Sequence, residues 1–166
     1  MTSHDKKTME FLEVLNDLVK IHDDRIAGYR QALARLISID TNLKLEFEKI
    51  ISEGEYYKQQ LLQKIKELTG SDGTQSVIYG KIYSAWRDLK VAFSGKTQKA
   101  IIADSLYNEL IALCAYEAAL DKNIEMGKVT RQLIEKQESE LRKISDEIKK
   151  CETTYHTIDY SSLYFT

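Results

Sequence analysis

The chain has 166 residues, of which 30% are charged, and its 24 basic and 26 acidic residues leave a formal net charge of −2. This length fits one domain with one core, and the near balance of charge provides no field that would attract nucleic acid or an anionic membrane. We therefore predict a single domain that binds neither.

The N-terminal sequence and the cysteines indicate the compartment. The first residues, MTSHDKKTMEFLEVLND, contain no apolar run of signal-peptide type. No segment has the roughly 18 consecutive apolar residues of a membrane span. Cys114 and Cys151 lack metal-type spacing, and burial is the common fate of such thiols. We expect a cytoplasmic chain in which both cysteines are free and buried.

Proline is absent from the chain, so glycine marks the breaks between its amphipathic stretches. The second stretch begins at Asp40, a typical N-cap residue, and ends at Gly70. Its short link to the first stretch, about residues 6–37, predicts two antiparallel neighbouring helices. The first stretch places these side chains on one face, at steps of three and four: Phe11, Leu15, Leu18, His22, Ile26, Tyr29, Leu33 and Leu36.

A shorter amphipathic run follows the polar segment at 70–75 and ends at Gly95. Its apolar face predicts that Trp86 is buried where this connecting helix meets the bundle. A connection of about 25 residues suits a crossover along a bundle, whereas an up-down-up-down bundle needs only tight turns. We predict an all-α, ferritin-like four-helix bundle with a crossover helix between the second and third long helices. A five-helix array, with the short helix capping one end, is the alternative.

Two further amphipathic stretches, about residues 97–122 and 126–153, predict the third and fourth long helices. The bundle is therefore expected to occupy residues 1–153 as a single domain. Residues 154–166 form an aromatic C-terminal tail, which either packs along the bundle, adds to a dimer contact or is disordered. Its aromatic residues are Tyr155, Tyr160, Tyr164 and Phe165.

Di-metal centres in ferritin-like bundles need a glutamate from each of two helices and a Glu-x-x-His pair from each of the other two. The chain has three histidines, His4, His22 and His156, and none follows a glutamate by three residues. On the second helix, Glu55 is followed at that spacing by Lys58, and a lysine repels a metal ion. These departures predict a chain without a metal cofactor.

Polar residues on apolar stripes are the candidate site residues. Glu109 lies between Leu106 and Leu113, where a lone carboxylate needs a partner. It is either held by an inward Arg, Lys, Tyr or Gln, or it is a remnant metal ligand. Gln137 and His22 are most simply members of one buried hydrogen-bond network with Glu109. No catalytic or cofactor-binding residue is predicted, and the weak candidates for a metal site are Glu109, His22, Glu55 and Gln137.

Short motifs spread over about residues 10–150 carry a family resemblance. They are Leu15-Asn-Asp-Leu18, Asp24-Arg-Ile-Ala-Gly28-Tyr29, Tyr79-Gly80, Trp86-Arg-Asp-Leu89, Ser94-Gly95, Glu109 with Tyr116-Glu117-Ala-Ala-Leu120, and Ile134-Glu-Lys-Gln137. Together they resemble an uncharacterised bacterial family of ferritin-like four-helix bundles, the YciF-related stress proteins. The resemblance implies a ferritin-like bundle, a dimer and a loose association with stress responses.

The chain also departs from the pattern of the family that it resembles. Ser145-Asp146 stands where relatives often show a histidine, and Lys20 stands near an expected acid. Among the family's acidic positions, only Glu109 matches residue by residue. The resemblance therefore implies the fold of the family more strongly than any metal chemistry.

Two classes of function follow. The favoured one is a non-enzymatic, stress-associated structural or interaction protein with a degenerate metal site, which has no cofactor and acts as a homodimer or through a protein partner. The alternative is a di-metal ferritin-like oxidoreductase, or an iron-binding protein, with iron or manganese. Elemental analysis separates the two classes because a true di-metal site retains its metal.

Overall fold

The structure is a computed structural model that describes residues 2–35, 40–70 and 79–164, with side chains up to residue 150. Over these residues the chain is helical and has no strand, which confirms the all-α fold class. The five helices are α1 (Ser3–Arg35), α2 (Thr41–Thr69), α3 (Lys81–Leu89), α4 (Gln98–Ala119) and α5 (Lys128–Tyr164). None of them is both long and apolar enough to cross a membrane.

Both predicted ends of α2 are confirmed. The Asp40 carboxylate accepts hydrogen bonds from the backbone N–H groups of Asn42 and Leu43, at 2.9 and 3.2 Å, which satisfies donors that the first helical turn leaves without partners. Gly70 ends the helix in the left-handed conformation, with a φ of 69°, and its N–H donates to the Lys66 carbonyl. A glycine adopts this conformation without the steric cost of a Cβ atom.

Two other helix ends differ from the prediction. α3 ends at Leu89 rather than Gly95, because the next residues leave the helical path to bond with α4. α5 continues to Tyr164, past the predicted end at 153, and its sequence contains no glycine or proline that would break it. The aromatic side chains of the tail lie outside the described residues, so the role of the tail stays a prediction.

The crossover gives the bundle its topology. Along α1, His22 contacts Tyr116 of α4, whereas Tyr29, farther along, contacts Glu109, so α1 and α4 run antiparallel. α1 is joined to α2 by a short link and is antiparallel to it. α2 and α4 therefore run parallel, as the ferritin-like prediction requires.

Side chains from α1 and α4 hold the crossover in place. The buried Asp17 carboxylate accepts from the backbone N–H groups of Gly80 and Tyr83, at 2.8 and 3.0 Å, and so caps the start of α3 from another helix. Asn108 bonds to both backbone groups of Val91, at 2.8 Å each. These polar anchors fix the crossover between α1 and α4 at both of its ends.

Close packing completes the attachment of the crossover. Trp86 is 2% exposed, as predicted, and its indole N–H donates to Asp24 at 3.1 Å. A Cβ atom at Gly28 would lie 2.8 Å from the Phe93 ring, so only glycine lets Phe93 approach α1 this closely. The crossover therefore forms part of the core rather than a loose connection.

The prediction that both cysteines are buried is wrong for Cys114, which is exposed. α4 is apolar around most of its circumference, so its periodicity does not distinguish the core side from the outer side. The Cys151 side chain lies outside the described residues.

Replacing Trp86 with alanine should lower the free energy of unfolding by about 3–5 kcal/mol, because it removes a buried indole and leaves a cavity. Urea unfolding followed by circular dichroism measures this loss. The control is Arg87→Ala on the same helix, where the side chain is 59% exposed and the expected loss is below about 1 kcal/mol. Equal losses in the two variants would contradict a buried crossover.

Candidate functional site

A buried network of polar side chains lies at the centre of the bundle. α1 provides His22, Arg25 and Tyr29, α4 provides Glu109 and Tyr116, and α5 provides Gln137. α2 closes the network with the Tyr57 carbonyl and the Gln60 side chain. All four long helices therefore meet at this candidate site, and we call these residues the core network.

The centre of the core network is an ion pair between Arg25 and Glu109, whose side chains are 2% and 0% exposed. Arg25 Nη2 donates to both carboxylate oxygens, at 2.8 and 2.9 Å, and Nε donates at 3.1 Å. The Tyr29 hydroxyl donates to the same carboxylate at 2.8 Å. Burial on its own would lower the pKa of Arg25, but the Glu109 carboxylate raises it, and the net direction is upward.

A chain of hydrogen bonds leads from this ion pair across the bundle. Arg25 Nη1 lies 3.1 Å from His22 Nδ1, and because arginine only donates, Nδ1 accepts. The ring proton is then on Nε2, which donates to the Tyr116 hydroxyl at 2.6 Å. Tyr116 donates to Gln137 Oε1, also at 2.6 Å, and Gln137 Nε2 donates to the Tyr57 carbonyl at 3.2 Å. The hydrogen bonds of this chain therefore all point from Arg25 towards α2, where Gln137 Nε2 also donates to Gln60 Oε1 at 3.1 Å.

Burial and charge fix the protonation states of these groups. Burial lowers the pKa of His22 well below its ordinary value, and the positive charges of Arg25 and Lys58 lower it further. Burial raises the pKa values of Tyr29 and Tyr116. His22 and both tyrosines are therefore neutral at physiological pH, and the ion pair provides the only formal charges within the core network.

The core network does not fit a di-metal centre. Both oxygens of Glu109 accept hydrogen bonds from Arg25, and His22 uses one ring nitrogen to accept and the other to donate. A fixed guanidinium beside the only carboxylate of the core network would repel a metal cation. Within the described part of the chain, no group of three or more His, Cys, Asp or Glu side chains is arranged to hold a metal ion.

The structure brings three of the four candidate residues together. Glu109, His22 and Gln137 share the core network, as predicted, and Glu109 has the arginine and tyrosine partners that one of its interpretations required. Glu55 lies apart, at the surface, where it pairs with Arg30 at 3.3 Å. Glu55 is therefore not part of the core network.

Arg25 is the central residue of the core network that no sequence pattern predicted. It lies three residues after His22 and four before Tyr29, which places it on the same face of α1. This spacing is the sequence signal for an inward Arg25, but it is a weak one because arginine is usually exposed. The burial of Asp17 is likewise not predicted by the sequence, because aspartate is usually exposed.

A cavity of about 140 Å³ reaches this site from the side of the crossover. Arg25 and Glu109 form its inner end, while Trp86, Phe93 and Lys90 of the crossover region line its outer part. The crossover therefore forms the outer wall of the cavity beside the ion pair.

Comparison with known proteins identifies a family and a fold. Residues 10–122 match the family described as Domain of unknown function (DUF2383). A solved structure of a mutant of Mycobacterium smegmatis Dps1 is similar with a TM-score of 0.72 and 12% sequence identity, over 92% of this chain and 99% of that chain. At this identity the likeness shows the ferritin-like fold alone. No curated protein matches the chain.

Breaking the central ion pair should be more damaging than removing both partners. Arg25→Met leaves a buried, unpaired carboxylate and should lower the free energy of unfolding by about 3–5 kcal/mol. Adding Glu109→Leu removes that carboxylate and should recover much of the loss. A double-mutant cycle in urea measures the coupling, and additive losses would contradict a direct buried pair.

Acidification should destabilise the chain through His22. Its folded pKa lies far below the unfolded value of about 6.5, so below that pH only the unfolded state gains a proton. The free energy of unfolding should then fall by up to about 1.4 kcal/mol per pH unit relative to His22→Gln, which does not titrate. Urea unfolding of both proteins between pH 7.5 and about 5 measures the difference.

Comparing the parent with His22→Gln cancels the contributions to stability of other groups that titrate in the same pH range. Burial and a hydrogen bond with Glu147 raise the pKa of Glu46 to about 7, which has the opposite effect on stability. This contribution is common to both proteins. Stability curves that stay parallel from neutral pH downward would contradict a neutral, buried His22.

Proposed function

This chain belongs to the family called Domain of unknown function (DUF2383), and we propose that it is a non-enzymatic ferritin-like bundle with a structural or interaction role in stress physiology. In this proposal the chain acts in the cytoplasm as a homodimer or through a protein partner, and it needs no cofactor. In this proposal the ion pair of Arg25 and Glu109 links the helices at the centre of the bundle, as a metal site links them in a di-metal bundle.

The observation that carries the proposal is the contact between Arg25 and Glu109. A metal ion bound by Glu109 would have to displace Arg25 from a carboxylate that it contacts at 2.8 Å. The displaced guanidinium, whose side chain is 2% exposed, would remain buried without a counter-charge. Leaving one partner of a buried pair uncompensated costs about 3–5 kcal/mol, so metal binding would work against the fold.

The hydrogen-bond inventory supports a structural role for the same residues. His22, Tyr116 and Gln137 each have a partner for their buried polar atoms, and no buried nitrogen or oxygen of the core network is unsatisfied. Buried polar networks in which every member is satisfied make a core rigid and specify its packing. A fully satisfied network has a simpler role, which is to hold four helices in one register.

The link to stress physiology rests on the resemblance of the motifs to the YciF-related proteins. Asp24-Arg-Ile-Ala-Gly28-Tyr29 and Glu109 belong to those motifs, and they include the central residues of the core network. The motifs therefore coincide with the internal scaffold of the bundle. A protein with such a scaffold would act through its surface.

Metal analysis of the purified full chain tests the absence of a resident metal. Expressed with added iron and manganese, the protein should contain far less than one equivalent of either metal, and Fe²⁺ or Mn²⁺ added without oxygen should leave its melting temperature unchanged. A ligand that binds only the folded state at about 100 times its Kd would add about 2.7 kcal/mol of stability, which a melting curve detects.

Two variants make this test specific. Glu109→Gln should respond to the metals as the parent does, because the parent has no site to lose. Arg25→Met removes the competing cation and provides the matched comparison for metal access to Glu109. A rise in melting temperature that the parent shows and Glu109→Gln abolishes would overturn the proposal in favour of a ferritin-like metal protein.

A further inference from the structure

The outer side of α4 has a continuous apolar stripe. Ala103, Tyr107, Leu110, Cys114 and Ala118 are exposed and follow one another at steps of three and four, so they form one stripe. No charged residue interrupts this stripe between Ala103 and Cys114. A helix that is apolar around most of its circumference is normally covered on most of its sides.

The crossover extends this stripe into a wider apolar face. Leu89 is 49% exposed and Val91 is 38% exposed, and both lie beside α4. Between α3 and α4 a groove of about 180 Å³ is lined mainly by apolar side chains, including Ile82, Ala85, Leu89, Ile111, Cys114 and Ala118. We call the stripe and the groove together the α3/α4 face.

We propose that the α3/α4 face is covered by the same face of a second copy of this chain, in an antiparallel two-fold dimer. This inference rests on the homodimer of the proposed function and names the surface that forms it. An isologous contact needs a surface that is complementary to itself. The α3/α4 face has that property, because the protruding Tyr107 and Leu110 lie next to a groove that they can fill on the partner subunit.

The dimensions of the face suit a dimer interface. From Ala103 to Ala118 the stripe is about 22 Å long at about 1.5 Å per residue. With packed helices about 10 Å apart, α3 and α4 together give a face about 20 Å wide. Because α3 is only nine residues long, the apolar centre covers about 350 Å², a little under half of the roughly 800 Å² per partner of a standard interface, and the polar rim has to provide the rest.

Charges at the two ends of the face favour the antiparallel arrangement. Lys81 lines the groove together with Ala118, and Asp104 lies one turn before Tyr107 at the opposite end of the stripe. When Tyr107 enters the groove of the partner subunit, Asp104 comes near Lys81 of the partner subunit, and the two-fold axis repeats the contact. This complementarity sets the orientation of the copies.

Analytical ultracentrifugation of the full chain tests the surface. The parent should be a dimer at micromolar concentration, and Leu110→Glu should weaken the dimer by more than about 100-fold because it places a charge in the apolar centre. The matched control is Leu45→Glu, on α2, where the leucine is 58% exposed and lies diagonally across the bundle. This control should remain a dimer, and circular dichroism should show the same helicity in all three proteins.

Charge reversal tests the orientation. Lys81→Asp and Asp104→Lys should each weaken the dimer about tenfold or more, and the double variant should restore it, because both contacts regain opposite charges.

A parent that is monomeric overturns both this inference and the homodimer of the proposed function. A parent dimer that survives Leu110→Glu overturns the α3/α4 face alone, and a dimer lost in Leu110→Glu but not restored by the double charge reversal overturns the antiparallel orientation. The metal analysis described above is independent of all these outcomes.

Discussion

The buried ion pair between Arg25 and Glu109 is the interaction on which the rest of the bundle depends. Removing two charges from water costs several kcal/mol for each ion, and a single contact does not offset that cost unless the remaining donors and acceptors are also satisfied. Tyr29 and His22 provide the next partners on α1. The pair therefore requires the core network around it, and the network in turn requires one register of the four long helices.

The direction of the hydrogen bonds explains why this centre can exist without a metal ion. Arg25 provides the positive charge and the donors, Glu109 provides the negative charge, and Gln137 ends the chain at a backbone carbonyl of α2. A di-metal centre also joins the helices of a bundle, but it does so with several carboxylates around a cation. Here the cation is covalently part of α1, so the structure has a comparable central link with a single carboxylate.

The crossover protects this centre and shapes the outer surface. Asp17 and Asn108 anchor its two ends, and Trp86 and Phe93 cover the ion pair from solvent. Because the crossover packs along α1 and α4, it makes α2 and α4 parallel. It also leaves the outer side of α4 and the adjacent side of α3 apolar and exposed, so the topology that encloses the core network also creates the α3/α4 face.

The sequence by itself determined the helices, the caps at Asp40 and Gly70, the crossover and the inward positions of His22, Glu109 and Gln137. These features are local, because periodicity and capping depend on residues within a few positions of one another. Only the tertiary structure decided that Arg25 pairs with Glu109, 84 positions away, and that Asp17 caps a helix 63 positions later. It also decided that Cys114 is exposed, because an apolar helix has no periodicity that tells its core side from its outer side.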